Sequence, residues 1–118
     1  MKKMKFYVIS HTHWDREWYQ SFQNYRYRLV RMMDNLIDGL EKDDSYKVFH
    51  LDGQSIVLND YLEIRPERKE RLRKLIQEGR ILIGPWYVMP DEFLISGESL
   101  VKNLQMGHKI CESMEWNL

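Results

Sequence analysis

The apolar positions along this chain change period several times, and each change marks an element. Phe6-Tyr7-Val8-Ile9 is an unbroken apolar run of strand formers, which predicts a first strand over Lys5 to Ser10. From Tyr27 to Leu40 the pattern becomes helical. Leu29, Met32, Met33, Leu36, Ile37 and Leu40 recur at spacings of three and four, while Arg28, Arg31, Asp34 and Asp38 fall between them. Gly39 and the polar run Lys42-Asp43-Asp44-Ser45 close that helix. Tyr46 to Leu51 predicts a second strand, broken by Asp52-Gly53-Gln54. Ser55 opens a short helix to Ile64, and Pro66 stands where a first-turn proline is tolerated. A further helix over Glu67 to Gln77 places Leu72, Leu75 and Ile76 on one side and ends at Gly79. Arg80 to Ile83 predicts a third strand. A loop bracketed by Pro85 and Pro90 follows, and Ser99 is the expected cap of a last helix carrying Leu100, Val101, Leu104 and Cys111.

The order is therefore β-α, β-α-α, β-α, an α/β chain with parallel strands and flanking helices. Such strands belong either to a doubly wound sheet or to part of a barrel, and in both the ligand lies at the C-terminal strand ends. Those ends are His11 to Trp18, Asp52 to Ser55, and Gly84 to Glu92.

Composition narrows the class. Eighteen Lys and Arg balance eighteen Asp and Glu, which argues against a chain that grips nucleic acid or an anionic membrane by bulk charge. Hydrophobic residues make up 43%, too many for a disordered tail. The longest apolar stretches, such as Ile81-Leu82-Ile83, are too short to span a bilayer. Met1-Lys2-Lys3-Met4-Lys5 looks like a signal n-region, but the apolar run behind it is too short, so it reads as a native start. The single Cys111 cannot form an internal disulfide, which agrees with a reducing, cytoplasmic setting.

The chemistry gathers at the first strand end. In extended backbone, alternate residues share a face, so His11, His13 and Asp15 project together. Two imidazoles and a carboxylate suit zinc or a similar divalent ion, and one histidine often supports rather than binds; the alternative is a polar strand end whose histidines are hydrogen-bonded to backbone. Glu17 reads as a solvated turn carboxylate, with acid–base work as the alternative. Trp14 is expected to cover the sheet end. For Trp18 a cover and a platform for a sugar face stand equal, and Tyr19 lies beside them. Asp52-Gly53 reads first as turn chemistry, with pocket lining by Asp52 or Gln54 as the alternative. Asp91 and Glu92 are adjacent and diverge, so backbone hydrogen bonding is favoured over catalysis. His50 and His108 read as packing or surface histidines, and the Arg65 to Lys74 run as a solvated helix face.

These three strand ends, in this order, resemble the glycoside hydrolase family 38 α-mannosidases, of the bacterial branch that includes mannosylglycerate hydrolases. The blocks are His11-Thr12-His13-Trp14-Asp15-Arg16-Glu17-Trp18, then Asp52-Gly53-Gln54 with Leu58-Asn59-Asp60-Tyr61-Leu62-Glu63, then Gly84-Pro85-Trp86-Tyr87-Val88-Met89-Pro90-Asp91-Glu92. The resemblance implies a zinc-dependent, retaining exo-α-mannosidase acting on a terminal α-mannoside, and a seven-stranded (β/α) barrel of which residues 1–118 supply the first three βα units. It implies zinc ligation by His13 and Asp15, a supporting place for His11, and mannose packing on Trp18. It also implies an aspartate nucleophile in an Asp-x-Phe-Gly motif. No such string occurs here, and Asp91-Glu92-Phe93-Leu94 is the nearest. The nucleophile, the acid and the remaining zinc ligand are therefore expected beyond Leu118, and the stop after Glu115-Trp116-Asn117-Leu118 reads as a truncation. Homo-oligomerisation of the parent enzyme stays open. The alternatives are another metal-dependent barrel hydrolase, of amidohydrolase or deacetylase type, and a non-catalytic sugar-binding module.

Overall fold

The computed structural model describes residues 3–115. Met1 and Lys2, part of the expected native start, and Trp116, Asn117 and Leu118, the expected point of truncation, lie outside the described residues. The elements run α1 (Phe22–Lys42), β1 (Phe49–His50), α2 (Ile56–Leu62), a 3-10 turn (Pro66–Arg68), α3 (Lys69–Gln77), β2 (Ile81–Leu82) and α4 (Gly97–Ser113). β1 and β2 are parallel, with Phe49 opposite Ile81 and His50 opposite Leu82. The fold is thus α/β around a small two-stranded parallel sheet, with α2 and α3 forming the crossover.

The helical pattern becomes the core. Leu29, Met33, Ile37 and Leu40 of α1 are almost wholly buried against Val57, Leu58 and Tyr61 of α2 and Leu72 and Ile76 of α3. Leu51, Ile81 and Ile83 bring the sheet into the same cluster, and Ile110, Cys111 and Met114 bring in α4. Burial pushes the Cys111 thiol above its ordinary pKa, which keeps it protonated and unreactive.

Two expectations shift at their ends. α1 begins at Phe22, five residues before the expected Tyr27, because the Ser21 carbonyl accepts the Asn24 and Tyr25 N–H groups at 3.0 and 3.1 Å. Gln23 and Asn24 hide that first turn from a hydrophobic pattern. α4 is capped by Ser96 rather than Ser99. The Ser96 hydroxyl accepts the Ser99 N–H at 3.1 Å, the usual cap-to-third-residue bond.

The Arg65 to Lys74 run is not simply solvated. Arg65 reaches Asp34 at 3.2 Å, Arg68 reaches Asp38 at 2.9 Å, and Arg71 pairs with both Asp38 and Glu41. The acids recur along one edge of α1, and the arginines face them from just before the 3-10 turn (Arg65), from the turn itself (Arg68) and from α3 (Arg71), so the run forms a ladder against α1.

The first strand is reduced to one contact. Among the described residues, Lys5 to Ser10 has no strand assignment, and only His11 forms a parallel bridge, with His50. The His50 N–H donates to the Ser10 carbonyl at 2.9 Å and the Thr12 N–H donates to the His50 carbonyl at 3.2 Å. Phe6, Tyr7, Val8 and Ile9 are strongly exposed. Composition made the run competent to pair, but a strand exists only where a ladder forms, and here the ladder reaches only its end.

Candidate metal centre

The three segments picked out as strand ends meet side by side. His11 bridges to His50, and Gln54 forms a second isolated parallel bridge to Trp86. A cavity of about 300 Å³ opens above them, lined by His13, Trp14, Asp15, Arg16, Glu17, Gln54, Val88 and Met89.

His13 is central to it. Its Nδ1 lies 2.7 Å from Asp52 Oδ2, and its Nε2 lies 3.7 Å from Asp15 Oδ1. His11 lies on the other side of the same carboxylate, its Nδ1 3.8 Å from Asp52 Oδ1. Among the described residues, no three His, Cys, Asp or Glu side chains are grouped to hold one ion. The three-ligand set of His11, His13 and Asp15 is therefore not assembled; Asp52 is hydrogen-bonded to His13 and lies beside His11. Two donors each about 2 Å from a tetrahedral ion stand about 3.3 Å apart. The 3.7 Å between His13 Nε2 and Asp15 Oδ1 is a few tenths of an ångström wider, so a small inward movement of this pair would make half of a zinc shell.

The segment is fastened by its neighbours. Arg16 donates through Nε to Asp60 Oδ2 at 2.7 Å and through Nη2 to Asp60 Oδ1 at 3.0 Å. That hydrogen bonding raises the guanidinium pKa further, so the charge is permanent. The Arg16 guanidinium also lies 4.8 Å from the centre of the Phe22 ring. Trp14 packs on the core and meets the Tyr25 ring edge-on at 6.3 Å, which makes it a cover, as expected.

Trp18 behaves differently. It is 74% exposed, lies outside the lining of the 300 Å³ cavity, and is free to present a ring face. Tyr19 is exposed beside it and contacts the Tyr25 ring at 5.5 Å. Glu17 is exposed at the cavity mouth. Asp91 and Glu92 are exposed, and neither lines the cavity. The Asp91 carbonyl accepts the Leu94 N–H at 2.9 Å, a turn contact. His50 is half-buried in β1, and His108 is exposed on α4.

The far wall is held by α4. Buried Asn103 donates to the Val88 carbonyl at 2.7 Å and accepts the Val88 N–H at 2.9 Å. A Cβ at Gly107 would lie 2.0 Å from the Pro85 carbonyl oxygen, so only glycine lets α4 approach this loop.

Comparison with known proteins decides the lineage. The sequence profile of the "Glycosyl hydrolases family 38 N-terminal domain" matches residues 3–115. The chain belongs to glycosyl hydrolase family 38. It is 50% identical over 113 residues to a Halalkalibacterium halodurans protein with the provisional name mannosylglycerate hydrolase, covering 96% of this chain and 12% of that protein. It is 30% identical over 93 residues to alpha-mannosidase 2 of Arabidopsis thaliana, covering 77% of this chain and 8% of that protein. The crystal structure of an alpha-mannosidase from Enterococcus faecalis superposes with a TM-score of 0.86 at 47% identity, over 90% of this chain and 12% of that one. The chain thus spans only 8–12% of the length of these family 38 relatives, whose class of reaction is glycoside hydrolysis of mannosides.

Two contacts in this family 38 site escaped the sequence reading: Asp52 on His13, and Arg16 on Asp60. Both join residues about 40 positions apart, with separations of 39 and 44. The usable signal for the first was an acidic residue at the end of the neighbouring strand. The second left none, because Asp60 sits in an apolar helical stretch.

Proposed function

We propose that residues 1–118 build the part of a zinc-dependent, retaining exo-α-mannosidase that supplies two metal ligands and one wall of the mannose pocket. The observation that carries this reading is the pairing of His13 Nε2 with Asp15 Oδ1, 3.7 Å apart on a cavity at adjoining strand ends, in a family 38 chain. The parallel contacts of His11 with His50 and of β1 with β2 support a place as the first three βα units of a seven-stranded (β/α) barrel.

In this reading His13 and Asp15 hold the zinc, which when bound supplies a Lewis-acid hold on the sugar hydroxyls. Arg16, tied to Asp60, keeps the ligand segment in register with α2. Trp18 offers its exposed ring to the apolar face of the mannose. Retention requires a nucleophile and an acid about 5–5.5 Å apart. Asp91 and Glu92 stand off the cavity, and no Asp-x-Phe-Gly occurs, so residues other than these 118 supply both groups. The substrate is a terminal α-mannoside, and mannosylglycerate is the member of that class suggested by the name of the H. halodurans relative. Among the described residues no helix is long and apolar enough to cross a membrane. The buried Cys111 suits a reducing cytoplasm.

The test is hydrolysis of an aryl α-mannoside by the purified chain with added zinc. No turnover is expected, and zinc-dependent turnover contradicts the assignment of the catalytic carboxylates elsewhere.

A further inference from the structure

We propose that Asp52 is a positioning residue for His13, fixing the tautomer and orientation in which the imidazole meets the metal; the inference rests on the zinc reading above. The carboxylate projects from a tight turn at the end of β1. The Leu51 carbonyl accepts the Gln54 N–H at 3.1 Å, and both central residues have positive φ, +52° at Asp52 and +72° at Gly53. That backbone is unfavourable for most side chains and least so for Asp and Asn. The turn is braced by the third strand end. The Trp86 N–H donates to the Gly53 carbonyl at 3.1 Å, and the Ser55 N–H donates to the Trp86 carbonyl at 2.9 Å. A Cβ at Gly53 would sit 3.2 Å from Trp86 Cδ1 and 3.3 Å from the Gly84 oxygen, so the turn and the loop are in close contact. Asp52 is therefore carried on a fixed support.

From that support it hydrogen-bonds His13 and lies near His11. Oδ2 is 2.7 Å from His13 Nδ1, and Oδ1 is 3.8 Å from His11 Nδ1. An ionised carboxylate only accepts, so the proton of a neutral His13 belongs on Nδ1. Nε2 is then left bare on the side that faces Asp15. The Gln54 amide nitrogen is 3.5 Å from the same Nδ1, too far to compete with Asp52. A carboxylate behind a ligating imidazole fixes its tautomer and raises its basicity, and losing it commonly lowers metal affinity 10–100-fold. A plain turn role makes a different prediction, because Gly and Asn both tolerate the positive φ of Asp52.

The experiment compares the wild-type 118-residue chain with Asp52→Gly, Asp52→Asn and His13→Ala. Long-range proton–nitrogen NMR at alkaline pH reads the His13 ring without metal, and a zinc titration follows. Wild type is expected to show the Nδ1–H tautomer. Asp52→Gly should shift His13 towards Nε2–H and weaken zinc binding at least ten-fold, about the lower end of the range for such partners. Asp52→Asn, which keeps an acceptor oxygen, should retain the tautomer. Thermal unfolding confirms that each variant folds. A wild-type His13 protonated on Nε2, or a tautomer unchanged in Asp52→Gly, overturns the proposal. If His13→Ala leaves zinc affinity unchanged, it is the zinc reading that fails, while the metal-free spectra still decide the role of Asp52.

Discussion

Asp60, 5% exposed on α2, accepts two hydrogen bonds from the half-exposed guanidinium of Arg16, which stands between Asp15 and Glu17. The asymmetry in burial makes the pair unequal under mutation. Arg16→Ala strands a buried carboxylate and is expected to cost about 3 kcal/mol. Asp60→Ala leaves an arginine that can turn to water and should cost about 1–2 kcal/mol. Urea unfolding of both variants and of the double variant checks this. The double variant should lose less than the sum, and strict additivity contradicts the coupling.

Much of the helical fold was legible because buried positions repeat. Leu29, Met33, Ile37 and Leu40 announce the inner face of α1, and all four are in the core. The strand at Phe6 to Ile9 was overread, since composition reports the ability to pair but not the presence of a partner. The pairing of His13 with Asp15, the ligands proposed here, was legible because it is local, two residues apart. Asp52 was read as a turn residue because its contact with His13 depends on how β1 lies beside the first segment. The interhelical ladder was missed for the same reason: Arg68 and Arg71 look solvated until α1 brings Asp38 alongside.

Gly107 sets how closely α4 approaches the loop that carries Val88 and Met89. Gly107→Ala places a methyl within 3 Å of the backbone of Pro85, Trp86 and Tyr87. It is expected to destabilise by about 1–3 kcal/mol, the range for overpacking, despite the better helix propensity of alanine. Thermal unfolding reads the loss. A rise in Tm would show that the loop yields freely and has no fixed place over the cavity.

Asn103 makes the same contact through hydrogen bonds. Asn103→Leu leaves the N–H and carbonyl of Val88 without their side-chain partner and should cost about 1–3 kcal/mol. Amide exchange at Val88 should quicken markedly. Unchanged protection at Val88 contradicts this assignment.

The ladder carries a pH signature. Arg71 beside Glu41 holds that carboxyl below its ordinary pKa. A carboxyl lowered by folding stabilises the fold above its unfolded pKa, about 4.3, and that contribution is lost as pH falls through the folded value. Arg71→Ala should therefore lose up to about 1 kcal/mol at neutral pH, as exposed pairs do, and flatten the fall in stability below about pH 4.3. An acid limb identical to wild type contradicts the pairing.

The most direct measurement of the central claim is a zinc titration of the chain against His13→Ala and Asp15→Ala. The account predicts one weak zinc site in the wild type, lost in both variants, with folding intact in all three. Zinc binding that survives both substitutions, or a mannose-induced change in tryptophan fluorescence that saturates without metal and ignores them, contradicts it.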